Sequence, residues 1–228
     1  MSSRLIVALD TASPAQARTW AEAVAPWCGL VKLGLEFFLA NGPAGVRGIR
    51  GRPVFLDLKL HDIPNTVARA VEAVLPLGPR MLTIHASGGP AMMTAARRAV
   101  ERAGEERPLL LGVTVLTSLD KAALAAIGVV GGTVEQVLRL GRLAVSEGVD
   151  GLVCSAHEVA ALRAELSEEV KLVVPGIRPL GNEAGDQART MTPEQAVAAG
   201  ADWIVVGRPI TAAPDPMAAA AAISGVLV

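Results

Sequence analysis

Short runs rich in leucine and β-branched residues recur along the chain: Leu5 to Leu9, Leu30 to Gly34, Val54 to Lys59, Met81 to Ala86, Leu109 to Leu116, Gly151 to Ser155, Leu172 to Pro175 and Trp203 to Gly207. The stretches between them carry Ala, Leu and Val at helical spacing, as in Pro14 to Ala25, Thr66 to Leu75, Ala91 to Ala103, Val134 to Glu147, His157 to Leu166 and Pro193 to Ala199. Ser13-Pro14 and Thr192-Pro193 read as an N-cap followed by a first-turn proline. The pattern predicts eight strands alternating with helices.

Strands that are almost wholly apolar must be covered on both faces, and strict alternation with helices makes the sheet parallel. Eight repeats close it into a (β/α)8 barrel, an α/β fold of the TIM-barrel kind, and 228 residues is about the length of one such barrel. A single domain over residues 1–228 is expected. The alternative is a doubly wound open sheet, but no G-x-G-x-x-G follows the first strand and no G-x-x-x-x-G-K-[ST] occurs. In a closed barrel, chemistry gathers at the C-terminal ends of the strands.

Composition narrows the class. Apolar residues at 51% and charged residues at 19% are enough for a large core and argue against disorder. A net charge of −1 gives no general attraction to nucleic acid or an anionic membrane, so any phosphate recognition must be local. No apolar stretch reaches the roughly 20 residues of a membrane span, and Asp10 comes too early for a secretory signal. A cytoplasmic enzyme is expected. Cys28 and Cys154 lie far apart without metal-ligand spacing and read as packed free thiols, and His61, His85 and His157 complete no metal set. No metal and no cofactor are expected.

The charges then change the picture. Four lysines stand against seventeen arginines. Lys121 and Lys171 fit solvated positions, whereas Lys32 and Lys59 lie inside apolar strands. Asp10 ends the first strand, Asp57 shares the third with Lys59, and Asp62 follows in the next loop. Residues two apart on a strand face the same way, so Asp57 and Lys59 should share one wall while Leu58 packs outward. Such groups could simply satisfy one another, yet buried ion pairs often stabilise no better than apolar packing, which favours function. Near the last strand, Gly207 would let a backbone N–H come close and Arg208 offers a planar fork to phosphate oxygens. The Gly- and Pro-rich loop from Gly176 to Arg189 is long for a connector and reads as a lid.

The stretch from Asp57 to Thr66, D-x-K-x-x-D followed by I-P-N-T, resembles the active-site signature of the orotidylate decarboxylase family. The resemblance runs through nearly the whole chain: V-A-L-D ending at Asp10, V-K-L-G around Lys32, L-T-S at Leu116 to Ser118, P-G-I-R at Pro175 to Arg178, G-D-Q at Gly185 to Gln187, and V-G-R-P at Val206 to Pro209. It implies a cofactor-free carboxy-lyase that converts orotidine 5′-phosphate to UMP and CO2 in pyrimidine biosynthesis. Lys59 would give C6 its proton and Asp57 would face the departing carboxylate. Lys32 and Asp62 would complete an alternating Lys-Asp-Lys-Asp array, while Asp10 and Lys32 bind ribose hydroxyls. Arg178, Gly207 and Arg208 would grip the 5′-phosphate, Gln187 would bridge phosphate to pyrimidine, and Pro175 would also contact the substrate. Thr117, with Ser118 as a second candidate, would hold the base, and His61 would orient its loop. Asp62, Ile63 and Thr66 would reach the neighbouring subunit's site, which implies a homodimer.

Three competing readings remain on sequence. The ketogulonate-phosphate decarboxylase and hexulose-phosphate synthase group shares the D-x-K-x-x-D strand but carries a metal-binding Glu where this chain has Lys32, and an ammonium there would repel Mg²⁺. A ribulose-phosphate epimerase should show metal-binding histidines at strand ends, and only His85 is near one. A binding module without activity would be expected to lack part of the charged array.

Overall fold

The computed structural model describes residues 3–179 and 191–227. Among them, β1 (Leu5–Ala8), β2 (Leu30–Gly34), β3 (Val54–Leu60), β4 (Met81–His85), β5 (Leu109–Val113), β6 (Gly151–Val153), β7 (Lys171–Val174) and β8 (Trp203–Val206) pair in sequence order, and β8 pairs with β1. Every pairing is parallel, and the pairing of β8 with β1 closes the sheet into the expected barrel. Outside it lie α1 (Pro14–Val24), α2 (Leu35–Arg47), α3 (Pro64–Val74), α4 (Pro90–Glu101), α5 (Lys121–Ala126), α6 (Thr133–Ser146), α7 (Val159–Glu165), α8 (Pro193–Ala198), α9 (Arg208–Thr211) and α10 (Pro216–Gly225).

Local chemistry sets these boundaries. The Ser13 hydroxyl accepts the Gln16 N–H and the Thr192 hydroxyl accepts the Gln195 N–H, each before a first-turn proline. Helix α4 buries Met92, Met93, Ala96, Ala99 and Val100 at helical spacing, which is the face it lays on the barrel. Helix α2 is broken at Gly42, whose φ of 58° is followed by Pro43.

Alternation along the strands creates two cores. Leu5, Val7, Val31, Leu33, Leu56, Leu82 and Ile84 face the helices in the larger one. Ile6, Ala8, Leu30, Phe55, Met81, Leu111, Val173 and Val205 fill the barrel itself. Stepping two residues on from this inner plug reaches the mouth: Ala8 leads to Asp10, Leu30 to Lys32, Phe55 to Asp57, Val173 to Pro175 and Val205 to Gly207. The period that packs the core also aims the polar groups.

Most strands end one to three residues away from expectation, and two of the differences shape the site. Strand β5 stops at Val113 rather than Leu116, because the Thr114 backbone and hydroxyl both donate to the Val153 carbonyl (3.1 and 3.0 Å) and Leu116 opens a turn closed by the Leu119 N–H. Strand β3 runs to Leu60 but is irregular: Leu56 pairs with Leu82 and Leu60 with Ile84, so four residues advance against two. Within that bulge Lys59 has φ 48°, and it is the one non-glycine among the described residues with positive φ.

Candidate active site

A cavity of about 270 Å³ opens at the C-terminal mouth of the barrel. It is lined on one side by Asp10, Lys32, Asp57 and Lys59, and its wall also includes Thr117, Pro175, Arg178, Gly207 and Arg208. Phe55, Val113, Val115, Val153 and Val205 supply an apolar floor and wall. Strand order sets β3 across the mouth from β7, so the lysine–aspartate row and the Pro175 to Arg178 segment approach the cavity from different sides.

The charged groups form one row. Asp57 Oδ2 lies 2.7 Å from Lys59 Nζ and 3.6 Å from Lys32 Nζ, and Lys32 Nζ lies 3.1 Å from Asp10 Oδ1. Asp57 is 8% exposed. Burial pushes its carboxyl up, but the Lys32 and Lys59 ammonium groups, with hydrogen bonds from Lys59 and Thr83, outweigh that and hold it below the usual carboxylate value. Gly34 leaves room for the row: a Cβ there would stand 3.3 Å from Lys32 Nζ and 3.6 Å from Asp10 Oδ1. Directly after β8, a Cβ at Gly207 would make ordinary contacts of 3.5 Å with Ala8 Cβ and 3.6 Å with Asp10 Oδ2. Its described protein neighbours therefore leave room for a side chain that glycine does not fill.

Arg178 and Arg208 provide the cationic end. Burial first, and then the Arg208 charge, lower the proton affinity of the Arg178 guanidinium. Two guanidiniums held beside one cavity repel each other and favour a bound anion.

Simple alternation does not account for Lys59. Because β3 bulges, its side chain reaches Asp57 from a left-handed backbone and not from a regular strand. Asp62 is exposed, its Oδ1 accepts the Ile63 N–H at 2.6 Å, and it does not line the cavity. Ile63 (67% exposed) and Thr66 are also exposed and outside the lining. The row within one chain is therefore Asp10, Lys32, Asp57, Lys59, and Asp62, expected at a neighbouring subunit's site, lies outside this chain's own cavity. The chain turns into α3 at Pro64 directly after this loop, which carries Asp62 away from the wall. Ser118 is exposed and does not line the cavity, whereas Thr117 does. Gln187 and most of the expected lid lie outside the described residues. The His61 and His85 rings stand 5.4 Å apart, and burial, then the charges of His61 and Lys59, hold His85 below the ordinary imidazole value against the pull of Asp57.

The sequence reading missed Thr83. Its hydroxyl accepts the Lys59 N–H at 2.9 Å and donates to Asp57 Oδ1 at 2.9 Å. A signal existed: it is the one polar residue in Met81-Leu82-Thr83-Ile84, two residues on from the inner plug residue Met81.

The orotidine 5′-phosphate decarboxylase / HUMPS family model matches residues 3–223. An orotidine 5′-phosphate decarboxylase of Gluconobacter oxydans is 56% identical over 225 residues, covering 97% of this chain and 95% of that protein. One from Vibrio vulnificus is 51% identical over 226 residues, covering 98% and 97%. The crystal structure of orotidine 5′-phosphate decarboxylase from Lactobacillus acidophilus superposes with a TM-score of 0.87 at 36% identity, covering 99% of each chain. With its barrel, its charged row and these likenesses over almost its full length, the chain belongs to the orotidine 5′-phosphate decarboxylase / HUMPS family.

Proposed function

We propose that residues 1–228 form one barrel domain that decarboxylates orotidine 5′-phosphate to UMP and CO2, a step of pyrimidine nucleotide biosynthesis, without metal or cofactor. The observation that carries this reading is the row Asp10, Lys32, Asp57, Lys59 at the cavity wall, with Arg178 and Arg208 on the same cavity.

The chemistry needs such a row. Breaking the bond from C6 to the carboxylate leaves an electron pair on an sp² carbon with no adjacent group to absorb it. The Lys59 ammonium stabilises that pair as it develops and then donates a proton to C6, leaving as a neutral amine that water reprotonates. The Asp57 carboxylate faces the substrate carboxylate, and their repulsion is relieved as neutral CO2 leaves. One unit-charge pair at roughly 4 Å with an effective dielectric near 20 is worth about 4 kcal/mol, so no single contact carries the barrier. Prepositioned charges must act together. Asp10 and Lys32 bind the ribose, Thr117 holds the base, and Arg178, Gly207 and Arg208 hold the phosphate, with Gln187 bridging to the pyrimidine and Pro175 among the substrate-binding residues. Binding energy from the phosphate offsets the cost of closing the charged site.

The exposure of Asp62, Ile63 and Thr66 supports a homodimer in which they serve the neighbouring site. Lys32 supports metal independence, since its ammonium stands where a divalent cation would need a carboxylate. Two free, buried cysteines suit a reducing cytoplasm; burial holds the Cys28 thiol up at about 11 and raises that of Cys154 as well. Among the described residues, no helix is long and apolar enough to cross a membrane.

An ultraviolet assay of orotidylate disappearance, run with wild type and Lys59→Ala in parallel, tests the proposal. Turnover by wild type in EDTA with loss in the variant is expected. Equal rates in the two would remove Lys59 as proton donor, and loss of wild-type activity on chelation would turn the reading toward a metal-dependent member of the family.

A further inference from the structure

We infer that Thr83 is a positioning residue for the reaction, because its single hydroxyl holds the backbone of Lys59 and the carboxylate of Asp57 at once. The inference rests on the decarboxylase reading above.

The bulge creates the need. Between the Leu56–Leu82 and Leu60–Ile84 pairs, β3 spends four residues against two on β4, so the segment Asp57-Leu58-Lys59 cannot follow the regular ladder. The Lys59 N–H instead meets Thr83 Oγ1 at 2.9 Å. Having accepted there, the hydroxyl has one proton to give, and it lies 2.9 Å from Asp57 Oδ1. Its direction is therefore fixed from both sides. Asp57 Oδ2 is the oxygen shared with Lys59 Nζ and Lys32 Nζ, so Thr83 pins the opposite corner of the carboxylate. Rotation of that carboxylate would break the row.

Thr83 has no exposed surface. Without its hydroxyl, water has no route to replace it, and a buried N–H and a buried carboxylate oxygen lose their partner together. Lys59 also holds a left-handed backbone that a lysine adopts only when its surroundings impose it. Threonine meets two demands that valine, of the same shape, cannot. Thr83 does not line the cavity, and the two bonds of its hydroxyl go to Lys59 and Asp57. Its loss should therefore fall on the chemical step.

The test compares wild type, Thr83→Val and Thr83→Ser for kcat and KM on orotidylate, for UMP affinity by calorimetry, and for thermal unfolding. Thr83→Val should lower kcat by roughly tenfold or more while KM and UMP affinity stay within about threefold, and Thr83→Ser should keep kcat within about threefold of wild type. If Thr83→Val does not fold, Thr83→Ala against Thr83→Ser gives the same contrast. A kcat unchanged on losing the hydroxyl overturns the inference, as does a serine variant no better than the variant without hydroxyl, or a loss carried by KM alone. Failure of wild type to consume orotidylate would remove the decarboxylase reading and this inference together. A working wild type without the hydroxyl pattern would remove only the inference.

Discussion

The barrel buries charge at both ends, and the two ends differ in how those charges are finished. At the base, Asp150 and Asp202 precede β6 and β8. Each accepts the N–H of the second residue of the neighbouring strand, Leu110 for Asp150 and Leu172 for Asp202, both at 2.8 Å. Arg107 grips Asp150 with two donors at 2.7 and 2.9 Å, and Arg97 adds a third at 2.8 Å. Arg163 pairs with Asp202 and spends its other donors on the Gly200 and Val170 carbonyls. The Arg107 and Arg163 forks and the two aspartates there all end on other parts of the scaffold, although Asp202 and Arg163 also border a pocket with Lys171. At the mouth, by contrast, Lys32 and Lys59 contact carboxylates and border an open cavity. Arginine forks with backbone partners staple strands; lysine point charges beside a cavity stay available to a ligand. Burial of charge is thus no mark of function by itself, and closure of the hydrogen bonding separates the two ends.

The sharpest way to break this contrast is at Lys59. Lys59→Ala should cut turnover by about a thousandfold or more and change stability by less than about 1 kcal/mol, since Lys32 and Thr83 remain on Asp57 when Lys59 is lost. Turnover and urea unfolding check both halves, and a large stability loss would make Lys59 a staple like Arg107. Next in size, Arg208→Ala should lower kcat/KM for orotidylate by about a hundredfold, with kcat falling as well as KM rising. A normal kcat/KM would detach the phosphate end from the rate.

How much of this contrast the sequence displayed depends on the range of the interaction. The eight strands were legible because each is an apolar run between helical periods, and Asp10, Lys32, Asp57 and Lys59 were legible because charges inside such runs stand out. The bulge at Lys59 was not, since it arises from the pairing of β3 with β4 and leaves no local trace. Thr83 shared that fate: its role exists only once Asp57 and Lys59 are set against it. The end of β5 depends on where Thr114 meets Val153, a contact across strands. The direction in which Asp62 leaves β3 was not legible either, because a D-x-K-x-x-D spacing fixes order along the chain and leaves the direction of the loop to the turn into α3. The base aspartates went unremarked, although Gly148-Val149-Asp150 and Gly200-Ala201-Asp202 repeat one pattern before two strands.

The remaining predictions concern the base. Asp150→Asn should reduce stability by about 2 kcal/mol, below the usual cost of breaking a fully buried pair because solvent reaches the arginines, and should leave kcat for orotidylate within about twofold. Chemical unfolding and the ultraviolet assay on the same sample decide it, and a large loss of kcat would mean that the base communicates with the mouth. The smallest effect is the pH dependence of that difference. Burial raises the Asp150 carboxyl, but the Arg107 hydrogen bonds, the Leu110 N–H and the charges of Arg107 and Arg97 bring it below its ordinary value. A carboxylate whose folded-state value is depressed stabilises the fold fully above its unfolded value, near 3.9, and loses that contribution as pH falls through the folded one. The stability gap between wild type and Asp150→Asn should therefore be constant from about pH 7 to 5 and narrow below about pH 4. A gap that widens on acidification would reverse the sign and remove the ion pair as the source of stability at the base.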